Sequence, residues 1–345
     1  MKRVKKRNSG KRKALIALCS VLAVILTAML GVTVAAHSLM NKMNRVEEGG
    51  NATISQQEMQ EYLDAEKENS GAEGPAISDS DINWGDGDAT LLGDSEDVIN
   101  ILLIGQDRRS GEERARSDSM ILCTIHKEKK TIVLTSFMRD LYVQIPGYGN
   151  NRINASYAWG GMELLNQTLE KNFGICVDGN VEVDFNQFAD IVDLLGGVPM
   201  ELRNDEAQYI NSDTQSSLSG GMQILNGKQA LSYARIRSLD ADADFSRTNR
   251  QRKVITALLG QLKDAGLVKL LGLLDDVLPM VTTDMSNGEI LGYATKVFPV
   301  LSGASLSSQR VPADGAYYGA MIDGMSVLVA DMDKTRDLLR DTIGE

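Results

Sequence analysis

The feature that most constrains this chain is an uncharged, mainly apolar run of 23 residues, Ala14 to Ala36. A helix needs about 20 such residues to cross the hydrocarbon core of a bilayer. We therefore predict a transmembrane helix over 14–36. A cleaved signal peptide is the alternative, because the run ends in the small residues "VAA", but the apolar core of a signal peptide usually extends over only about 7 to 15 residues.

The charges that flank this run predict its orientation. Residues 1–13 contain eight Lys/Arg and no acid, and such basic segments accumulate on the cytoplasmic side of a membrane. We expect a basic cytoplasmic head at 1–13, a single-pass location in the cell membrane, and an extracellular remainder. Basic residues also attract nucleic acid, but beside a membrane helix they are better explained by topology and anionic lipid. The lipid bilayer is therefore an expected partner, and nucleic acid is not.

The segment after the apolar run is acidic. Residues 41–97 contain fifteen Asp/Glu against three Lys/Arg and few large apolar side chains, so the formal net charge of -11 describes no single part of the chain. This composition is typical of a flexible linker. We predict an acidic flexible tether over 37–97, with a short helix around Gln56 to Lys67, and a folded domain over 98–345.

The pattern of the remaining chain predicts an α/β domain. Apolar runs of strand length cover 97–105, 119–125 and 131–137 before any long helical pattern begins. Helical periodicity then alternates with further strands, and Asp184 or Asn186, Asn226, and Asp244 or Ser246 are placed to cap three of the helices. We expect a central mixed β-sheet flanked by α-helices.

Several kinds of catalytic site are excluded by the residues present. His37 borders the apolar run and His126 lies in a charged turn, so neither is placed to activate a serine or cysteine nucleophile. The chain has no HExxH, GxSxG or GxxxxGK motif. Cys19, Cys123 and Cys176 are isolated; free thiols are expected at Cys123 and Cys176, and a disulfide between them remains open. Carboxylates and arginines are left as the chemical groups of a site.

One stretch of the chain, residues 233–253, is unusually rich in arginine. Its aspartates have DxDxD spacing, but the sixth and twelfth positions of a calcium loop would be Phe245 and Gln251, which excludes an EF-hand. Arginine in the first turns of a helix is unfavourable unless an anion is present, and helix N–H groups and guanidinium forks both bind phosphate. An anion site and a solvated ion-pair loop both remain open. The basic residues are Arg235, Arg237, Arg247, Arg250, Arg252 and Lys253.

Two aspartates upstream predict a second part of the same site. Asp107 follows the first predicted strand and Asp118 precedes the next, so the two carboxylates can meet at one edge of the sheet. Oxygen ligands of this kind suit Mg²⁺, which also binds substrate phosphates; turn-capping aspartates are the alternative. Arg139 and Asp140 follow the third strand, where ligands of such sheets gather.

Seven segments, taken in their order along the chain, resemble the LytR-CpsA-Psr family. They are "LLIGQDRR", "RSDSMIL", "SFMRDLYVQIPG", "RINASYAWGG", "VDFNQFADIVDLLGGV", "LNGKQALSYARIRS" and "DFSRTNRQRKVI". The resemblance implies an α-β-α domain behind a single membrane helix. It also implies a magnesium-dependent transferase that moves an anionic glycopolymer, such as wall teichoic acid or capsular polysaccharide, from a polyprenyl pyrophosphate carrier to peptidoglycan.

The same resemblance assigns roles to individual residues. It implies that Asp107 and Asp118 hold Mg²⁺. The implied pyrophosphate ligands are Arg108, Arg139, Arg235, Arg237, Arg247, Arg250 and Gln251. The implied catalytic residues are Asp107, Asp118, Arg139, Arg235 and Arg247. A polyprenyl-pyrophosphate hydrolase and a non-enzymatic, membrane-bound regulator of the cell envelope are the alternative functions.

Overall fold

A computed structural model describes residues 38, 40–46, 55–68, 74–85, 89–106, 117–265, 273, 275–301 and 303–344. The predicted basic head and transmembrane helix, residues 1–36, lie outside the described residues. None of the helices within the described ranges has both the length and the apolar character that crossing a bilayer requires.

Alternating burial along the apolar runs produces a seven-stranded mixed sheet. The strands are β1 (Asn44–Arg45), β2 (Val98–Gln106), β3 (Ser117–His126), β4 (Thr131–Phe137), β5 (Tyr142–Ile145), β6 (Gly149–Arg152), β7 (Gly179–Asp184), β8 (Val198–Leu202), β9 (Gly221–Leu225), β10 (Thr282–Thr283), β11 (Ser305–Val311), β12 (Tyr317–Ile322) and β13 (Met325–Ala330). The strand order of the sheet is β1-β10-β7-β2-β3-β4-β11, in which β2 pairs in parallel with β7 and antiparallel with β3, and β4 pairs in parallel with β11. The pairs β5–β6, β8–β9 and β12–β13 form three small hairpins.

Helices cover both faces of this sheet, as predicted. The helices are α1 (Gln56–Glu68), α2 (Ile153–Phe173), α3 (Phe185–Leu194), α4 (Asn204–Thr214), α5 (Gly227–Arg235), α6 (Ala243–Ala265), α7 (Asn287–Leu301) and α8 (Met332–Ile343). On one face, α2 and α8 pack against β2 and β3 through a cluster that includes Trp159 and Leu339. On the other face, α6 and α7 pack against β3 and β4 through a cluster that includes Leu134 and Val300.

Helix α6 connects two apolar cores because it has two apolar stripes. Val254 and Leu258 pack into a cluster built from α3, α4, α5 and the β8–β9 hairpin. Ile255 and Leu259 face the sheet on the other side. The arginine-rich first turns of α6 therefore lie where the sheet meets this smaller helical layer.

Two of the predicted caps are confirmed, and the third is wrong. Asp184 accepts a hydrogen bond from the backbone N–H of Gln187 and begins α3, and Asn226 begins α5 in the same way. Helix α6 begins earlier than expected, at Ala243, so that Asp244 lies inside its first turn. The side chain of Asp244 is thereby available for other contacts.

The two cysteines within the described residues are free thiols. Cys123 is buried on β3, and Cys176 is partly buried between α2 and β7. Burial raises the pKa of the Cys123 thiol to about 12, which keeps it protonated and unreactive at neutral pH.

The described parts of the predicted tether pack against the domain, which corrects the expectation of a free linker there. Met40 and Met43 are buried, and β1 adds to the edge of the sheet beside β10. The predicted helix around Gln56 is confirmed as α1, whose Met59 and Tyr62 pack against the core. Burial of these apolar side chains explains why an acidic segment folds back onto the domain.

Candidate functional site

The site is built at one edge of the central sheet. Gln106 at the end of β2 pairs with Ser117 at the start of β3, and Phe137 at the end of β4 pairs with Met120. The end of β2, the end of β4 and the start of β3 therefore meet at this edge. Asp118 and Arg139 are brought together here, and Arg139 Nη1 donates to Asp118 Oδ1 at 3.0 Å.

The carboxylate of Asp244 is a shared partner for three arginines. Its oxygens lie 3.5 Å from Arg139 Nη2 and 3.3 Å from both Arg237 Nε and Arg247 Nη1. These arginines come from three different places: the end of β4, the segment after α5, and the first turns of α6. Three cations converge on a position that one small anionic group occupies.

Asp140 completes the arrangement. Its carboxylate lies 3.4 Å from Arg139 Nε and 3.7 Å from Arg152 Nε. We define the Asp244 cluster as Asp118, Arg139, Asp140, Arg237, Arg247 and Asp244. Its three aspartates and three arginines give it no formal net charge when all six groups are ionised.

Burial sets the electrostatics of the cluster. Desolvation raises the pKa of Asp244; Arg139 opposes this shift, and the neighbouring carboxylate of Asp140 adds to it. Burial alone would lower the pKa of Arg139, but the carboxylates of Asp140, Asp244 and Asp118 raise it well above its usual value. Arg139 is thus a permanent cation, and the raised pKa makes Asp244 easier to protonate than an ordinary aspartate.

The three aspartates of the DxDxD stretch have three different partners. Asp244 contacts the arginines described above. Asp242 accepts a hydrogen bond from the Ser246 hydroxyl. Asp240 pairs with Arg203 at 2.7 Å and also with Arg250.

Arg250 is predicted to bind pyrophosphate, but its contacts are made elsewhere. Its Nε lies 2.9 Å from the buried Glu206, its Nη2 pairs with Asp240, and its Nη1 donates to the carbonyl of Ile236 at 3.4 Å. Arg250 and Glu206 expose 4% and 6% of their side chains. This buried ion pair ties α6 to α4, which gives Arg250 a structural role.

Arg235 is predicted in the same site, but within the described residues it forms no ion pair with a member of the Asp244 cluster. Its exposed guanidinium lies 4.9 Å from the centre of the Phe185 ring. It lines a surface cleft of about 310 Å³ together with Lys228 and Asp213. Gln251 is half-buried one turn after Arg247 on the same face of α6.

The predicted metal site is only partly described. Asp107 and Arg108 lie outside the described residues, and Asp118 is the one predicted metal ligand within them. In the described ranges, no three or more His, Cys, Asp or Glu side chains are grouped to hold a metal ion.

Sequence reasoning missed two features of the site. Asp244 was expected to cap a helix, and only the early start of α6 turns it toward the arginines. Arg252 and Arg310 were assigned no role, although Arg252 is buried with two nitrogens that have no partner among the described residues. The density of arginine in 233–253 was the available signal for Arg252; nothing in the sequence pointed to Arg310.

Comparison with known proteins shows relatives over most of the described domain. The model of the LytR_cpsA_psr family matches residues 46–342. The chain is 34% identical over 214 residues to the polyisoprenyl-teichoic acid–peptidoglycan teichoic acid transferase TagT of Bacillus subtilis (strain 168), covering 60% of this chain and 65% of TagT. It is 33% identical over 252 residues to the regulatory protein MsrR of Staphylococcus aureus (strain COL), covering 72% and 75% of the two chains. The match thus spans slightly less than two thirds of TagT.

A solved structure has the same fold. It is TagT with bound octaprenyl pyrophosphate lipid, which superposes with a TM-score of 0.56 at 27% identity and covers 72% of this chain and 92% of that one. The arrangement found here, three arginines around one carboxylate, presents planar guanidinium forks of the kind that bind phosphate groups.

Proposed function

Because the chain belongs to the LytR-CpsA-Psr family, we propose that it transfers an anionic glycopolymer from a polyprenyl pyrophosphate carrier to peptidoglycan. The polymer class we propose is wall teichoic acid or capsular polysaccharide. One observation carries the proposal: Arg139, Arg237 and Arg247 converge on a single anionic position at the sheet edge. The similarity to TagT, a transferase of this class that binds a prenyl pyrophosphate, supports it.

In this proposal the pyrophosphate takes the place of the Asp244 carboxylate among the arginines. Guanidinium groups bind phosphate oxygens two at a time, and charge that develops on the departing group is stabilised by cations already in position. Arg139 is held by Asp118 and Asp140, so its orientation requires no reorganisation when substrate binds. Arg139 contacts Asp244 Oδ2, whereas Arg237 and Arg247 contact Oδ1.

The reaction is a displacement at phosphorus. A hydroxyl oxygen of a peptidoglycan muramic acid forms a bond to the phosphorus nearest the glycan, and the bond from that phosphorus to the bridging oxygen breaks. The bridging oxygen leaves with the polyprenyl phosphate, and the hydroxyl proton passes to a carboxylate of the site, Asp107 or Asp118. The product is a phosphodiester between polymer and peptidoglycan.

We include Mg²⁺ in the proposal. The donor type fits, because Asp118 supplies a carboxylate oxygen beside the arginines at the sheet edge, and Mg²⁺ typically binds one or two carboxylates together with substrate phosphates and water. Asp118 and Asp107 would hold the ion. When bound, it would neutralise charge on the pyrophosphate oxygens.

We also propose that residues 14–36 anchor the protein in the cell membrane, with 1–13 in the cytoplasm and the domain outside. Both proposed substrates are found there: the lipid carrier in the bilayer and the peptidoglycan beyond it. The basic head and the 23-residue apolar run support this topology.

The test uses the full chain in detergent with a prenyl-diphosphate disaccharide and soluble peptidoglycan oligomers. We expect a joined product, detected by mass spectrometry, that depends on Mg²⁺ and is lost on chelation. Release of glycan phosphate in water, without joining, would favour the hydrolase. Binding of the lipid without turnover would favour a regulator, the role named for MsrR.

A further inference from the structure

A second pair of arginines lies beneath α6, next to the Asp244 cluster. Thr248, Arg252, Ile255 and Leu259 recur at intervals of three and four residues and form the stripe of α6 that faces the sheet. Ile255 and Leu259 pack into the apolar cluster there. Arg252 stands one turn earlier, where an apolar residue would be expected, and is only 7% exposed.

The guanidinium of Arg252 is poorly compensated. Its Nη2 reaches Asn249 Oδ1 at 3.4 Å, while Nε and Nη1 are buried and have no hydrogen-bond partner among the described residues. No carboxylate of the described chain forms an ion pair with it at 4.0 Å or less. Buried charge is strongly unfavourable unless it is paired, so this guanidinium favours an anionic partner.

A second cation makes the imbalance larger. Burial and the neighbouring Arg310 together lower the pKa of Arg252 to about 10, while Asp314 acts in the opposite direction. The Arg310 guanidinium lies 4.3 Å from the centre of the Phe245 ring, and its Nε donates to the carbonyl of Pro312 at 3.2 Å. Its ion-pair partner, Asp314, is 92% exposed and therefore compensates little charge inside the protein.

Ser136 adds a third polar group at the same place. It is the register partner of Arg310 in the parallel β4–β11 pair, and the alternation of side chains places it on the same sheet face as Leu134, beneath α6. Its hydroxyl is buried and has no partner within the described residues. Two cations and one hydroxyl thus share the sheet face beneath α6, where the apolar core ends.

We propose that Arg252 and Arg310, with Ser136, form a second anion-binding subsite that takes a phosphate group. The subsite adjoins the Asp244 cluster, because Phe245 beneath Arg310 is the residue after Asp244, and Arg252 follows Arg247 by five residues on α6. Two guanidinium groups and a hydroxyl offer the donors that phosphate oxygens require. Assigning this phosphate to the glycopolymer substrate rests on the proposed function; the existence of the subsite does not.

The first experiment measures phosphate binding by the full chain in detergent, at constant ionic strength set with chloride. Arg252→Met removes the charge and keeps an unbranched apolar side chain, and Arg310→Met tests the subsite from the sheet side. Arg340→Met is the control, because Arg340 is an exposed arginine of α8 paired only with Asp337 in the described structure. We expect both subsite variants to weaken inorganic phosphate binding at least about tenfold by calorimetry, and the control to leave it unchanged.

Thermal unfolding separates a binding role from a structural one. Without phosphate, Arg252→Met should unfold at the same or a higher temperature than the wild type, because an unpaired buried cation has been removed. With phosphate, the stabilisation seen in the wild type should shrink in the variant. A lower midpoint in phosphate-free buffer together with unchanged phosphate affinity would overturn the proposal.

A further comparison separates this subsite from the Asp244 cluster. In an Arg139→Gln background, phosphate binding that remains and is then lost with Arg252→Met supports a distinct subsite. Binding that is lost with Arg139→Gln and insensitive to Arg252→Met places the phosphate in the Asp244 cluster alone, which overturns the subsite and leaves the proposed function standing.

The source of the phosphate is distinguished with two transfer substrates, prenyl-diphosphate disaccharides with and without a glycerol phosphate unit. If the subsite holds a phosphate of the polymer, Arg252→Met raises KM for the phosphorylated substrate and not for the other. If it holds free phosphate, KM is equal for both and only the response to added phosphate changes. A variant that keeps both the wild-type difference in KM between the two substrates and the wild-type response to phosphate would contradict the subsite.

Discussion

Asp244→Asn tests the central electrostatic claim, that the Asp244 carboxylate holds the place of the substrate pyrophosphate. This carboxylate lies 3.3 to 3.5 Å from nitrogens of three arginines. An incoming phosphate must replace it and is repelled by it while it stays charged. The asparagine has nearly the same shape and no charge, so the arginines remain and the competition is removed.

Coulomb's law gives the size of the effect. A phosphate oxygen bound to the same arginines would lie about 4 Å from Asp244, where two unit charges repel by about 1 kcal/mol in bulk water and about 4 kcal/mol at an effective dielectric constant of 20. Arg139 and Asp244 expose 21% and 28% of their side chains, so the cluster lies between these limits. We expect inorganic pyrophosphate to bind Asp244→Asn at least about tenfold more tightly, or about 1.4 kcal/mol.

Calorimetry of the full chain in buffers of different ionisation enthalpy measures both affinity and proton uptake. Because burial already raises the pKa of Asp244, an arriving pyrophosphate should raise it further and cause the wild type to take up a proton. The uptake should be smaller in Asp244→Asn, and the difference between the two proteins removes the contribution of the ligand's own titration. Equal or weaker pyrophosphate binding by the variant would refute the competition.

The same substitution has a defined effect on stability. A carboxyl group whose pKa is raised on folding binds more protons in the folded than in the unfolded state, so wild-type stability falls as the pH rises from about 3.8 through the folded pKa. Asp244→Asn lacks this loss. In denaturant titrations, we expect the variant to be at least as stable as the wild type at neutral pH, and the difference in the free energy of unfolding to become smaller toward pH 3.8. A variant that is less stable than the wild type at pH 7 and more stable near pH 3.8 would contradict this expectation.

Three further substitutions separate binding from structure. Arg237→Lys keeps the charge and loses the planar fork, so the rate of transfer should fall at least about tenfold, which corresponds to about 1.4 kcal/mol. The thermal midpoint should change little, because the Arg237 side chain is 44% exposed. Normal transfer would exclude Arg237 from the site. Asp118→Asn should abolish Mg²⁺-dependent transfer in the product assay, and undiminished activity would place the ion elsewhere. Arg250→Met should lower the free energy of unfolding by up to about 3–5 kcal/mol, because the buried Glu206 then keeps only the half-exposed Arg203, 4.0 Å away, as an ion-pair partner. Pyrophosphate affinity should persist; weakened affinity at unchanged stability would return Arg250 to the site.

Much of the fold could be predicted because local signals and tertiary structure agree. The strands β2, β3 and β4 are continuous apolar runs, and the caps Asp184 and Asn226 use the local side chain–backbone bonds that their positions suggest. The meeting of Asp118 with Arg139 followed from strand order alone, since both lie at strand ends on one edge of the sheet. The packing of 40–46 and of α1 against the domain could not be predicted from an acidic composition, because a few apolar residues such as Met43 and Met59 determine it.

The arginines of α6 show where sequence reasoning stops and why. At about 100° per residue, Arg247 and Arg252 lie about 140° apart around the helix, so periodicity alone separates the Asp244 cluster from the sheet-facing subsite. Arg247 and Arg250 lie only about 60° apart, and helix geometry allows both to contact one pyrophosphate. Their separation is decided by Glu206, a buried carboxylate on α4, 44 residues before Arg250. Arg250 pairs with it at 2.9 Å and is thereby withdrawn from the Asp244 cluster. Which arginines of this face reach the cluster therefore depends on a charge in the helical layer, at a distance in sequence that no local pattern reports.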